Sequence, residues 1–138
     1  MDTSITVEVV INAPIATVWD AFTTPADIKR WSAISDDAQM TECTVDLREG
    51  GKFFVRTQNK AGHPGSTFEG KFTKVVPFNA IELSSGERKA SVQFDTWGVD
   101  NVAVTVVFDA ESESSIEQEQ QVALSILQSF SRYVQPEN

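Results

Sequence analysis

Residues 3–11 alternate apolar and polar positions, with Ile5, Val7, Val9 and Ile11 on one side and Thr6 and Glu8 on the other. A period of two is that of a strand with one buried face. Asn12-Ala13-Pro14 breaks the pattern, and Ile15, Val18, Trp19 and Phe22 then recur at helical spacing. Pro14 suits the first helical position, where its missing N–H has no partner to lose. Thr23-Thr24-Pro25 predicts a stop and a restart, with Thr24 as N-cap, Pro25 at N1 and Asp27 in the acid-favouring first turn of a short helix that ends near Trp31.

After the polar stretch Ser32 to Gln39, strand patterns return at about 41–47, 51–58, 67–76, 79–84, 90–96 and 101–109. Turn residues separate them: Gly50-Gly51, the loop Asn59 to Gly65, Pro77 with Asn79, Ser85-Gly86-Glu87, and Gly98 to Asn101. Sequential neighbours are therefore expected to pair antiparallel. From Ser114 the period changes to helical. Ser114 and Glu117 form a capping box, and Ile116, Ala123, Ile126, Leu127, Phe130 and Val134 share one face. Glu117 and Glu119 early, Arg132 late and Pro136 beyond the end complete a helix of about five turns.

One strand, two short helices, six strands and a long helix make an α+β order, with residues 1–138 read as one domain. The last helix has only the concave face of a curved antiparallel sheet to bury itself against. A curved sheet and a straight helix cannot touch along their whole lengths, so the gap between them is the place for an apolar pocket.

Composition narrows the partners. The chain has 20 Asp and Glu against 11 Lys and Arg, a net charge of -9, which repels phosphate backbones and anionic lipid, so no nucleic acid partner is expected. No run of apolar residues is long enough to span a bilayer, and the N-terminus lacks a leader pattern, so no membrane insertion and a cytoplasmic location are expected. Cys43 is the single cysteine and His63 the single histidine, which excludes an internal disulfide and gives no metal-binding spacing; neither metal nor cofactor is expected.

An ordered set of short motifs spans almost the whole chain. It runs Ala13-Pro14 with Val18-Trp19-Asp20-Ala21-Phe22, Thr24-Pro25 with Ile28-Lys29-Arg30-Trp31, and Asp46-Leu47-Arg48-Glu49-Gly50-Gly51-Lys52-Phe53. It continues with Phe68-Glu69-Gly70, Val75-Val76-Pro77, Phe108-Asp109-Ala110-Glu111, and Ile126-Leu127-Gln128-Ser129-Phe130 with Tyr133-Val134. The set resembles the START-like (SRPBCC) superfamily, in its activator-of-Hsp-90-ATPase-homologue branch. That resemblance implies the helix-grip fold, in which a seven-stranded antiparallel sheet grips the C-terminal helix, two short helices follow strand 1, and an internal cavity holds sterols, lipids, polyketides or other apolar compounds. It also implies that a minority of members are cyclases or related enzymes.

Two departures remove aromatic bulk. Val122 and Ala123 stand where many members carry a Gly-Trp pair facing the cavity, and Ala38 follows Asp36-Asp37 where close relatives place an aromatic. The co-chaperone that gives the branch its name needs a second, N-terminal domain to activate its chaperone, and 138 residues leave no room for it, so chaperone activation is not expected.

Strand parity turns Phe53, Val55 and Thr57, Phe68, Gly70 and Phe72, Val92 and Phe94, and Val104, Val106 and Phe108 toward the final helix. With Trp31, Val122, Ile126 and Phe130 they are the candidate ligand-binding wall as a group; read one at a time, a strand residue of this kind is more readily simple core. Gly70 admits either a close approach or a bulge. Arg56 or Lys74 could anchor an acidic head group, although the outer face is the common place for such side chains. Asp36 and Asp37 are the candidate carboxylates for a general base, and His63 lies in a loop with no Gly-x-Ser-x-Gly elbow elsewhere in the chain, so no catalytic residue is assigned. The leading expectation is a binder of a small hydrophobic molecule. The alternatives are a cyclase or hydrolase using a polar group in the cavity, and an interaction module, as a homodimer or as the partner of a stress or regulatory protein, using a sheet edge or the surface around Trp97.

Overall fold

In the computed structural model, which describes residues 4–31, 38–59, 67–86, 88–110 and 116–135, the first alternating segment forms β1 (Ser4–Ile11). Ile5, Val7 and Ile11 are buried, Val9 packs half-buried against the core, and Thr6, Glu8 and Val10 face solvent. α1 (Ile15–Thr23) follows, and Pro14 sits one position earlier than expected: it is the N-cap, extended at ψ 152, and its carbonyl accepts the first helical bond from Val18 N–H at 3.1 Å. Thr24 is extended as well, ending α1 and opening α2 (Pro25–Trp31) with its carbonyl, which accepts from Asp27 and Ile28.

Six more strands follow: β2 (Ala38–Val45), β3 (Lys52–Asn59), β4 (Thr67–Val76), β5 (Ala80–Ser85), β6 (Arg88–Thr96) and β7 (Val102–Asp109). They form one seven-stranded sheet in the order β1-β7-β6-β5-β4-β3-β2, with antiparallel neighbours throughout. The chain crosses from one edge to the other after β1 and returns by hairpins.

β2 lies three residues earlier in the sequence at its start and two earlier at its end than the pattern suggested. Asp46 to Gly51 leave the ladder because they close a turn on themselves, with Asp46 N–H bonded to Lys52 O and Gly51 N–H to Arg48 O. That turn is also pinned to β4, since Gly50 donates to Phe72 O and Phe72 donates to Gly51 O. Two bulges, at Met40/Glu42 and Phe72/Lys74, absorb extra residues and add bend to the sheet.

The register brings one apolar set to one face. Ile5 opposes Phe108, Val7 opposes Val106, Val92 also opposes Val106, Phe94 opposes Val104, Ile81 opposes Val92, and Phe53 opposes Gly70. The convex face carries exposed charge pairs instead, Arg56–Glu42 at 3.1 Å, Lys52–Glu69 at 3.4 Å and Lys74–Glu82 at 3.8 Å, each worth about 0–1 kcal/mol.

α3 (Ile116–Val134) lies along β1 and meets α1 and α2, with Leu127 and Phe130 buried. Its first turn holds Glu117 and Glu119 and its last turn Arg132, matching the helix dipole. The expected capping residue Ser114 lies outside the described residues. Among the described residues, no helix is long and apolar enough to cross a membrane.

Candidate functional site

An aromatic cluster holds α1, α2 and α3 against the sheet. Phe22 stacks on Trp31 at 5.4 Å and meets Phe94 and Phe130 edge-on at 5.5 and 5.3 Å; Trp31 meets Phe130 at 4.9 Å. The Trp31 indole N–H donates to Ala21 O at 2.8 Å. That carbonyl would ordinarily accept from the residue four ahead, which is Pro25 and has no N–H, so the indole supplies the donor that proline lacks.

Away from β1, α3 stands off the sheet and a cavity of ≈ 420 Å³ opens between them. Its walls are Val7, Phe53, Phe68, Leu83, Ala90, Val106 and Phe108 from the sheet, Phe22 and Trp31 from the short helices, and Ala123, Ile126 and Leu127 from α3. A second lobe of ≈ 210 Å³ lies under α2 and adds Ile28, Val45, Leu47, Phe72, Ile81 and Val92. Phe22, Trp31, Phe53, Leu83, Ala90 and Val106 line both, so the two lie side by side across these residues. The polar lining groups are Ser85, Arg88, Lys89 and Asp109 around the opening and Thr23 beside the second lobe. A third depression, of ≈ 590 Å³, is lined by Asn12, Pro14, Thr17, Asp100 and Asn101 among others; its polar loop walls set it apart from the apolar space.

The expected wall residues separate into three groups. Trp31, Phe53, Phe68, Phe72, Val92, Val106, Phe108 and Ile126 line one lobe or both, and Thr57 lines neither. Phe94, Val104 and Phe130 face inward but are sealed in the core beside the cavity, and Val55 is buried without reaching either lobe. Val122 points the other way and is 46% exposed, because the neighbouring Ala123 takes the inward position on α3. Phe22, Leu83, Ala90 and Leu127 join these in the walls. Alternation through β5 and β6 carries the signal for Leu83 and Ala90, but alanine is too small to announce a wall.

Gly70 admits a neighbouring strand and not a ligand: a Cβ there would stand 2.9 Å from Ser84 O and 3.5 Å from the Leu83 side chain. Arg56 lies on the convex face, paired with Glu42 and over the Phe54 ring at 5.9 Å, and Lys74 lies there too, paired with Glu82. Neither can anchor a head group in the cavity. Trp97 is 64% exposed in the β6–β7 turn, beside the fully solvated Val99 and far from the cavity opening at the other end of those strands. Asp36, Asp37 and His63 lie outside the described residues.

Two titrating groups are perturbed. Burial pushes the Cys43 thiol up, with Lys29 opposing. The Tyr133 hydroxyl donates to an Asp27 carboxylate oxygen, and this bond is the main cause of a raised phenol pKa; burial and the Asp27 charge add to it and Arg30 opposes. Among the described residues, no buried side chain is polar or charged, and no group of three or more His, Cys, Asp or Glu gathers.

A seven-stranded antiparallel sheet closed around a C-terminal helix, with two short helices after the first strand, is the helix-grip fold, a ligand-binding type of module. The chain belongs to the Activator of Hsp90 ATPase homolog 1-like protein family, whose model matches residues 12–135. It is 35% identical to the AHSA1-like protein from Aeromonas hydrophila, with a TM-score of 0.86 over 95% of this chain and 91% of that one. A Cytophaga hutchinsonii protein is 32% identical, with a TM-score of 0.83 over 95% and 91% of the two chains. A Chromobacterium violaceum protein shares the fold at 18% identity, with a TM-score of 0.84 over 98% and 99%. Among curated proteins, none matches this sequence.

Proposed function

We propose that this protein binds a small hydrophobic molecule in the apolar cavity between the sheet and α3. The observation that carries the reading is the cavity itself. Its outer lobe of ≈ 420 Å³ falls in the range of about 300–1,000 Å³ typical of small-molecule sites, and its walls are aliphatic and aromatic with polar groups at one end. A purely structural core of this size would have collapsed onto its own side chains, since interiors pack to crystal-like density.

The test is binding of the neutral, environment-sensitive probe phenylnaphthylamine. Wild-type protein is expected to bind it saturably at one site. Ala123→Trp, which restores the indole that many family members carry at this place, is expected to fill the outer lobe and abolish binding while the protein stays folded by circular dichroism. Equal binding by both proteins would refute the cavity as the site.

An enzymatic reading would put Arg56 or a carboxylate inside the cavity, and Arg56 is on the opposite face of the sheet. A second reading rests on Trp97 and Val99, whose exposure at one hairpin tip suits contact with another copy of the chain. Static light scattering of wild type and Trp97→Ser tests it: a dimer that becomes a monomer supports a homodimer, and a monomer in both removes it.

A further inference from the structure

The two lobes meet over one row of the sheet. Phe72, Leu83, Ala90 and Phe108 stand side by side across β4, β5, β6 and β7, each the cross-strand partner of the next. Phe72 lines only the second lobe and Phe108 only the outer one, whereas Leu83 and Ala90 line both. The boundary between the lobes therefore runs over Leu83 and Ala90, with Phe22 and Trp31, which also line both, on the helix side.

Ala90 is the low point of that boundary. Its side chain is a single methyl group set between a leucine and a phenylalanine on the neighbouring strands. One methyl group of Leu83 reaches away from it toward β4, 3.5 Å from the place of a Cβ on Gly70. Gly70, although smaller still, opens nothing: that methyl and the Phe68 ring, also at 3.5 Å, cover it, and it lines neither lobe.

The lobes also differ in what they can hold. The outer one has ≈ 420 Å³ and charged groups at its opening. The second has ≈ 210 Å³, and its one polar lining residue among those described is Thr23, whose hydroxyl donates to Trp19 O at 2.8 Å. A polar group carried into that space would lose water without a partner, whereas each methylene carried there gains by leaving water. The second lobe suits a narrow hydrocarbon.

We propose that the ligand is a two-part apolar molecule, with a bulky body in the outer lobe and an unbranched hydrocarbon tail that passes over Ala90 into the second lobe, and that Ala90 sets the length of tail the protein accepts. The assignment rests on the cavity being the binding site, and it adds the ligand's shape, its direction and the residue that selects it. A larger side chain at position 90 stands in the passage between Leu83 and Phe108 and confines the ligand to the outer lobe.

The experiment uses two neutral fluorescent ketones with the same dimethylaminonaphthalene body, one carrying a propionyl and the other a hexanoyl chain, titrated against wild type, Ala90→Val and Ala90→Leu. The quantity read is the ratio of the two affinities in each protein, from which any change in binding of the shared body cancels. A buried methylene contributes about fourfold, so the longer chain is expected to be favoured in wild type by up to about sixtyfold. Ala90→Val is expected to lower that preference, and Ala90→Leu to bring it below about fourfold, the contribution of a single methylene. Valine is β-branched and suits a strand, so it keeps the comparison readable if Ala90→Leu fails to fold. If wild type favours the longer chain by less than about fourfold, or if the folded variants keep the wild-type preference, the tail assignment is overturned and the cavity stands. If neither ketone binds wild type, the cavity reading fails and this one falls with it.

Discussion

Trp31 ties a local backbone problem to the site. Pro25 lets α2 start at once after α1, but it leaves Ala21 O without its helical donor, and the Trp31 indole supplies one at 2.8 Å. The same ring stacks on Phe22 and lines both lobes of the cavity. Trp31→Phe keeps most of the apolar surface and removes the N–H, leaving a buried carbonyl unpaired, so it is expected to lower stability by about 1–3 kcal/mol in urea unfolding. A loss below about 0.5 kcal/mol would mean that water serves that carbonyl instead. Of this, the sequence shows the apolar positions and the Thr24-Pro25 break. It does not show that the indole ten residues on turns back to the carbonyl, because that depends on the angle between two helices.

At the scale of elements, two fastenings hold the frame of the cavity. The first is the turn between β2 and β3, where a Cβ on Gly51 would stand 2.0 Å from Asp46 O, a backbone atom that cannot move aside. Gly51→Ala is therefore expected to cost about 3 kcal/mol or more and to reduce the midpoint of thermal unfolding sharply; Gly50→Ala, in open space but at φ 85, is expected to cost less. The second is the bond from Tyr133 near the end of α3 to Asp27 in α2. It raises the folded-state phenol pKa above its unfolded value, so its contribution is complete below pH ~10 and is lost as pH rises through the folded pKa. Melting temperatures of wild type and Tyr133→Phe are expected to differ at neutral pH and to converge above that window. A difference that persists at high pH would assign the effect to packing. The Gly50-Gly51 pair is legible as a turn, but which of the two glycines is indispensable follows from how the turn folds back on Asp46 and Arg48.

At the scale of the molecule, the cavity exists because α3 commits its buried face to β1 and the short helices and leaves the other side of the sheet uncovered. Such space has a cost, since lining atoms forgo contacts they would have in a filled core. Ala123→Trp is accordingly expected to raise stability by about 0.5–2 kcal/mol while it removes binding, the opposition between stability and function seen where a site is a void. Thermal melts with and without phenylnaphthylamine check both halves: the probe should stabilise wild type in proportion to its occupancy and leave the variant unmoved. A variant that is less stable and still binds would show that the Trp side chain points out of the cavity.

Alternation and turn chemistry are local, and they carried the α+β order, seven strands and the long last helix, because period two and period 3.6 are written in neighbouring residues. They also turned Phe53, Phe72 and Val106 to the correct face. Depth is not local. Phe94, Val104 and Phe130 have the same parity as the wall residues and are sealed in the core, while Ala90 and Ala123, small and unremarkable in the chain, form walls. The choice between Val122 and Ala123 turns on about 100° of helix rotation, which α3 settles only by docking on β1. Arg88 is the clearest case: its strand, its parity and its charge can be read from the sequence, but its place at the outer end of the cavity, bonded to Asp109 O, arises only when residues far apart in the chain are brought together by the sheet.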